Sequence, residues 1–246
     1  MPEILQLGPF MLKYNWLLWA IAAVVGYSVM RYRVKKAEEV DKSVLEVLST
    51  ALLIAIITWK LSPLLLSTEI WGNPLSVLFV SGSDQGAIIG FTSAVIYTGI
   101  KCWKKGSLAW QLPDLLSYGI TVMVIVYNML SWQYGSLTAL PWGISIMDPN
   151  HKYHPVNVYL ILVSLPIIIW LWRRSVSSIG SGELFANFLS FFGIGLLAVS
   201  FFENQTMSVF VMSWKQLFYL VMVLCGIVLN YLIKKKQIDQ LLGLEQ

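Results

Sequence analysis

Residues 80–91 read VSGSDQGAIIGF. A carboxylate and an amide, Asp84 and Gln85, stand at the mouth of an apolar run in which Gly82, Gly86 and Gly90 recur every four positions. That spacing lets two helices approach closely, a better account of these glycines than phosphate cradling. The run stays apolar to Ile100 and ends on Lys101, Lys104 and Lys105. A polar entrance, an apolar length and a basic exit describe a helix that crosses a membrane.

The rest of the chain repeats the pattern. Of its 246 residues 57% are hydrophobic and 12% charged, against about 25% charged in soluble domains. The mean hydropathy is +0.69. Seven apolar segments follow one another: Trp16–Met30, Val44–Leu66, Ala87–Ile100, Leu112–Leu130, Val156–Trp172, Leu184–Phe202 and Trp214–Ile233. A spanning helix needs roughly 20 residues, so the first and third should extend through Lys13 and toward Asp84. The expected fold is an all-α polytopic membrane protein with seven transmembrane helices, a single domain over 1–246. Its longer outer loops fall at about 67–83 and 131–155. "EIWGNPLSVLF" in the first of these reads equally as an interfacial arm anchored by Trp71 and Phe79 or as a loop.

Basic clusters set the orientation. Arg31, Arg33, Lys35, Lys36 and Lys42 follow the first segment, and Lys101, Lys104 and Lys105 the third. Arg173 and Arg174 follow the fifth, and Lys234, Lys235 and Lys236 the seventh. Basic residues after every odd span put the N-terminus outside and the C-terminus in the cytoplasm. The same clustering assigns the net charge of +4 to topology and excludes nucleic acid as a partner. The N-terminal residues lack the basic region of a cleavable signal, so targeting should run through the first helix. Cys102 and Cys225 give no framework for a disulfide or metal site.

Polar residues in or beside the spans are the candidates for function. Asp84, Gln85, Lys60, Glu69, Asn128, Glu203 and Asn204 belong to the outer half; Asp114, Glu183 and Asn187 belong to the cytoplasmic half. Charges in hydrocarbon tend to face a cavity or a partner, so the outer set would line a polar cavity. The plainer reading places most of them at headgroup depth. Asn128, deep in its span, needs a hydrogen-bond partner. Lys60 precedes Pro63, which frees a backbone carbonyl. It would pair with Glu203, Asp84 or Glu69, meet a lipid phosphate, or snorkel to the interface. His151 and His154 are too few ligands for zinc, and no nucleophile elbow, zinc-protease or P-loop motif occurs. No cofactor is expected.

Several stretches together resemble the bacterial prolipoprotein diacylglyceryl transferase family. "LGPFMLKYNWLLWAIA" is similar to that family's entry into its first helix, and "DQGAIIGF" to its His-Gly-Gly-Leu-Ile-Gly motif. "YGSLTALPWGISI" with "HPVNVY" is similar to its Tyr-Gly, Pro-Trp and His-Pro run. "FFGIGLLAVSFFENQ" and "SWKQLFYLVMVLCGIVL" resemble its last two helices. The resemblance implies a seven-span enzyme with its N-terminus outside, in the bacterial cytoplasmic membrane. Such enzymes move diacylglyceryl from phosphatidylglycerol to a lipobox cysteine thiol. It carries over a scaffold of Gly8, Pro9, Gly86, Gly90, Gly135, His154, Pro155 and Tyr159.

The departures fall on the charged positions. The family's motif histidine falls on Gln85 and its first-helix tyrosine on Asn15, beside Tyr14. Its arginines fall near Val124 and on Ser136 and Leu196, and a glutamate falls on Ser200. Neither Val124 nor Leu196 can hold a phosphate by the bidentate contacts of a guanidinium, and Gln85 cannot act as a base. The expectation is therefore a divergent member binding phospholipid, with phosphatidylglycerol the suspected lipid, or a lipoprotein-like or other membrane-protein segment. Binding would use Tyr14, Asn15, Lys60, Gln85, Asn128, His154 and Glu203, without ordinary transferase activity. Two alternatives stand beside it. One is an active transferase rebuilt around Asp84, Lys60 and Glu203. The other is a small transporter or flippase.

Overall fold

The computed structural model describes residues 4–7, 10–66, 72, 77, 82–146, 148–204 and 212–242. Gly8, Pro9, Glu69, Trp71, Phe79 and most of the 67–83 loop lie outside them. Among the described residues, seven helices are long and apolar enough to cross a membrane. They are α1 (Tyr14–Lys36), α2 (Ser43–Leu66), α3 (Asp84–Lys104), α4 (Leu108–Leu130), α5 (Val156–Arg173), α6 (Glu183–Ser200) and α7 (Trp214–Leu241). The first and third helices are longer than their apolar cores because they take in flanking polar residues. The last runs on past Ile233 and carries Lys234, Lys235 and Lys236 within it.

Short strands join the helices. β1 (Ile4–Leu7) and β2 (Phe10–Lys13) form an antiparallel hairpin before α1. The expected loop at 131–155 contains a three-stranded sheet, with β5 (Lys152–Pro155) between β3 (Tyr134–Leu137) and β4 (Ile144–Ser145). Its extended backbone runs straight into α5, so the sheet and that helix are one continuous support.

The chain divides into two compact units, Met1–Leu17 with Glu39–Gln111, and Leu18–Glu38 with Leu112–Gln246. In the first unit α2 and α3 pack as a close pair, and Pro63 explains much of the local geometry. Proline has no N–H to give the carbonyl four residues back, which is that of Trp59. Ser62 Oγ donates to this carbonyl instead, at 2.7 Å. Ser83 N donates to the same hydroxyl at 3.3 Å, and Ser83 Oγ caps α3 by accepting from Gly86 N at 3.0 Å. The glycines make room for this seam. A Cβ on Gly86 would lie 1.9 Å from Ser62 Oγ, and one on Gly90 would lie 2.5 Å from the Ala55 carbonyl oxygen.

In the second unit α6 packs on α7 and α1 on α4. A Cβ on Gly226 would meet the Ala186 carbonyl oxygen at 2.6 Å, and one on Gly26 the Gly119 carbonyl oxygen at 2.6 Å. Asp114, fully buried on α4, accepts from Gly180 N at 2.8 Å, Gly182 N at 2.9 Å and Phe185 N at 2.9 Å. It thus satisfies the start of α6, where the N-cap residue Gly182 has no side chain to do so. Arg33 is buried rather than solvated. Its Nη2 donates to Tyr118 OH at 2.8 Å and to the Arg174 carbonyl at 3.0 Å, while Tyr118 OH donates to the Leu171 carbonyl at 2.8 Å. These carbonyls belong to the end of α5, where Leu171 O also accepts from Arg174 N at 3.2 Å and where a cation suits the helix dipole.

Candidate functional site

The end of the second unit where α4 and α6 finish and α5 and α7 begin gathers the most chemistry. Its framework is backbone. Val156 N donates to the Gln133 carbonyl at 3.0 Å, and Ser136 N to the Phe202 carbonyl at 2.8 Å. Gly135 permits the second contact, since a Cβ there would lie 2.0 Å from the Phe202 carbonyl oxygen. Pro155 ends β5 and stands at the N-cap of α5.

On that framework sits a polar relay. Trp142 Nε1 donates to Tyr159 OH at 2.9 Å, and Tyr159 OH lies 3.0 Å from His154 Nδ1. Indole nitrogen only donates. The Tyr159 hydroxyl thus accepts from the indole and keeps its own hydrogen to donate to His154 Nδ1 in the tautomer that carries the ring hydrogen on Nε2. Phe202 closes the group, with ring centroids 4.8 Å from His154 and 5.3 Å from Tyr159. His151 takes no part in it; its Nδ1 meets Asp148 Oδ2 at 2.7 Å.

Beside the framework opens a cleft of about 370 Å³, lined by Gln133, Tyr134, Val156, Glu203, Asn204 and Lys215. Lys215 Nζ lies 3.1 Å from Glu203 Oε2, so Glu203 has a cation of its own rather than depending on Lys60. Lys215 escaped the sequence reading because a lysine at the start of an apolar helix looks like an interfacial anchor. Three hydroxyl or amide side chains, Gln133, Tyr134 and Asn204, with one ammonium and one carboxylate facing a cleft suit an anionic group that also carries hydroxyls.

Asn128 is not deep in its helix. It lies in the last turn of α4, where it is buried and its Nδ2 donates to the Val124 carbonyl at 2.8 Å. Asn157 Nδ2 donates to the Asn128 carbonyl at 3.2 Å. The Oδ1 atoms of both asparagines and Nε2 of Gln216 are buried without a protein partner among the described residues. Asn157 and Gln216 were not singled out from sequence; each adjoins a cleft-lining residue, Val156 or Lys215.

The remaining candidates belong to the first unit. Asp84 and Gln85 open α3 and are exposed, whereas Lys60 is half-buried between the seam residues Trp59 and Ser62. Tyr14 and Asn15 begin α1. The positions at which the family's charged residues fall are occupied by groups with other duties. Ser200 Oγ donates to the Leu197 carbonyl at 2.6 Å, and Ser136 Oγ to the Phe202 carbonyl at 3.2 Å. Val124 and Leu196 are half-buried apolar residues. Among the described residues no group of three or more His, Cys, Asp or Glu side chains gathers as metal ligands do.

The model of the prolipoprotein diacylglyceryl transferase family matches residues 2–232. The chain belongs to that family. Its relatives include the phosphatidylglycerol–prolipoprotein diacylglyceryl transferase of Finegoldia magna, 21% identical over 89% of this chain and 90% of the relative. The enzyme of the same name from Trichormus variabilis is 26% identical over 80% of this chain and 76% of its own. That of Solidesulfovibrio magneticus is 24% identical over 73% of both. With its seven long apolar helices, this member of the prolipoprotein diacylglyceryl transferase family is a multi-pass bacterial membrane protein. Matching that spans nearly the whole chain at such low identity fits a scaffold whose side chains have diverged.

Proposed function

We propose that this family member binds phospholipid at the outer leaflet without carrying out ordinary diacylglyceryl transfer. The lipid is phosphatidylglycerol, on which the relatives' names say they act, and the site is the cleft holding Glu203 and Lys215. His154, Tyr159 and Asn128, at the same end of the second unit, join it as binding residues, and a lipoprotein-like or other membrane-protein segment is its protein partner. Tyr14, Asn15, Lys60 and Gln85 are the lipid- or partner-binding residues of the first unit, taken by itself. The N-terminus is outside, as the basic clusters indicate.

One observation carries the loss of transfer. The arginines of the chain are Arg31, Arg33, Arg173 and Arg174, all at the C-terminal ends of α1 and α5. None remains for the other helix ends, where a glycerol phosphate leaving group would need a fork of N–H donors. Lys215 can attract a phosphate as a point charge, which supports binding better than directed bond cleavage.

A second reading, a rebuilt transferase, is favoured by the Trp142–Tyr159–His154 relay and the Glu203–Lys215 pair, which supply a base and a cation. The test is direct. Purified protein in phosphatidylglycerol vesicles receives a lipobox peptide, and thioether-linked diacylglyceryl is followed by mass spectrometry. The expected result is no turnover, with phosphatidylglycerol retained and that retention reduced several-fold by Lys215→Met. Catalytic turnover that falls in Asp84→Asn, Lys60→Met or Lys215→Met would overturn the proposal in favour of a rebuilt site.

A further inference from the structure

The α2–α3 pair has a second polar end, away from Asp84, that the proposed function does not use. There a cleft of about 350 Å³ opens between the start of α2 and the end of α3. Lys101, Lys104 and Lys105 line it, with Ser43, Glu46 and Thr50 opposite. The walls are Val47, Tyr97 and Leu108.

The three lysines have different duties. Lys105 Nζ pairs with Asp41 and donates to Ser43 Oγ at 3.0 Å, fixing the spacing of the two helices. Lys101 lies 5.6 Å from the centroid of the Tyr97 ring. No carboxylate pairs with Lys101 or Lys104 among the described residues, and both are exposed. Trp103, between them, is 89% exposed, as an aromatic anchor at headgroup depth is. Below the cleft the helix flank is apolar and open, with Ile96 57% and Leu53 58% exposed.

We infer that this cleft binds the phosphodiester headgroup of an anionic, hydroxyl-bearing phospholipid, whose acyl chains lie along the α2–α3 flank. Lysines at headgroup depth supply the attraction. Glu46, Ser43 and Thr50 accept hydrogen bonds from headgroup hydroxyls, and Glu46 would repel a lipid carrying further negative charge. Because α3 is long and apolar enough to cross the membrane and runs from Asp84 to Lys104, this site is at the opposite leaflet from Asp84. It is thus a second lipid site, independent of the Glu203–Lys215 cleft, and it anchors the helix pair in the leaflet.

The test maps where lipid lies. The full chain in lipid nanodiscs is crosslinked with photoactivatable phosphatidylglycerol, and adducts are located by peptide mass spectrometry. Adducts are expected in residues 43–50 and 97–108. Each lysine near an anionic headgroup is worth about fivefold (about 1 kcal/mol). Lys101→Gln with Lys104→Gln should therefore cut these adducts roughly tenfold or more, leaving those near Lys215 unchanged. Lys101→Arg with Lys104→Arg should keep them. Undiminished labelling in the Gln variant would overturn the inference. So would equal labelling by a phosphatidylethanolamine probe, or competition by free glycerol phosphate that marks a soluble anion as the ligand.

Discussion

Asp114 shows what a single charge can do inside a span. A carboxylate accepting three backbone N–H groups is fully used, and removing it strands all three donors. Each stranded donor costs about 1–3 kcal/mol, so Asp114→Ala should destabilise the protein by about 3 kcal/mol or more. Asp114→Asn retains one acceptor oxygen and should lose less. Thermal unfolding in detergent, followed by circular dichroism, measures both. Sequence marks Asp114 as a costly residue near a helix start but gives no sign of its partners, which lie 66–71 residues away on the turn before α6 and in its first turn. Tyr118 is similar. Its hydroxyl accepts a hydrogen bond from Arg33 Nη2 and donates one to the Leu171 carbonyl of α5, so Tyr118→Phe should cost about 1–2 kcal/mol through the lost hydrogen bonds.

At the scale of elements, glycines that share a spacing differ in consequence. Gly90 lies against backbone, whereas a Cβ on Gly99, on the same helix, would meet nothing within 4 Å. Gly90→Ala should force α2 and α3 apart and cost about 1–3 kcal/mol. Gly99→Ala should be neutral or stabilise by up to about 1 kcal/mol through helix propensity. Comparing the two melting temperatures separates contact from propensity.

The start of α2 responds to acid. Asp41 Oδ1 accepts from Ser43 N at 2.9 Å. Its hydrogen bond with Lys105 and those from Ser43 lower its carboxyl to about 2, from 3.8. A depressed carboxylate contributes stability that is complete above its unfolded value and disappears as the pH falls through its folded one. Wild type should therefore loosen at the α2 start between about pH 4 and pH 2, and Asp41→Asn should show no such change. Hydrogen exchange of the first α2 turn reads the difference. The cap is legible as Asp-x-Ser before an apolar run; the lysine that depresses the carboxyl comes from the far end of α3 and is not.

At the scale of the molecule, seven spans and the family assignment set the expectations for activity, while the local replacements limit them. Restoring one charge should not restore transfer. Leu196→Arg alone is expected to leave lipobox peptide unmodified in the vesicle assay, because the half-buried site lacks a hydrogen-bonding environment for a guanidinium. Measurable product from that single change would mean that only one group had been lost.

Spans, their number and the basic clusters were legible in the sequence because the bilayer imposes a length and a polarity on each segment separately. So was the family scaffold, since its glycines and the His-Pro run are local patterns. Tertiary structure alone decided which polar groups meet. Lys215 joins Glu203, Asp114 caps a helix two spans later, Arg33 closes α5 rather than facing water, and Asn128 lies in a final turn beside Asn157. Hydrogen bonds and ion pairs depend on a few ångströms between residues remote in sequence, and periodicity carries no record of those distances.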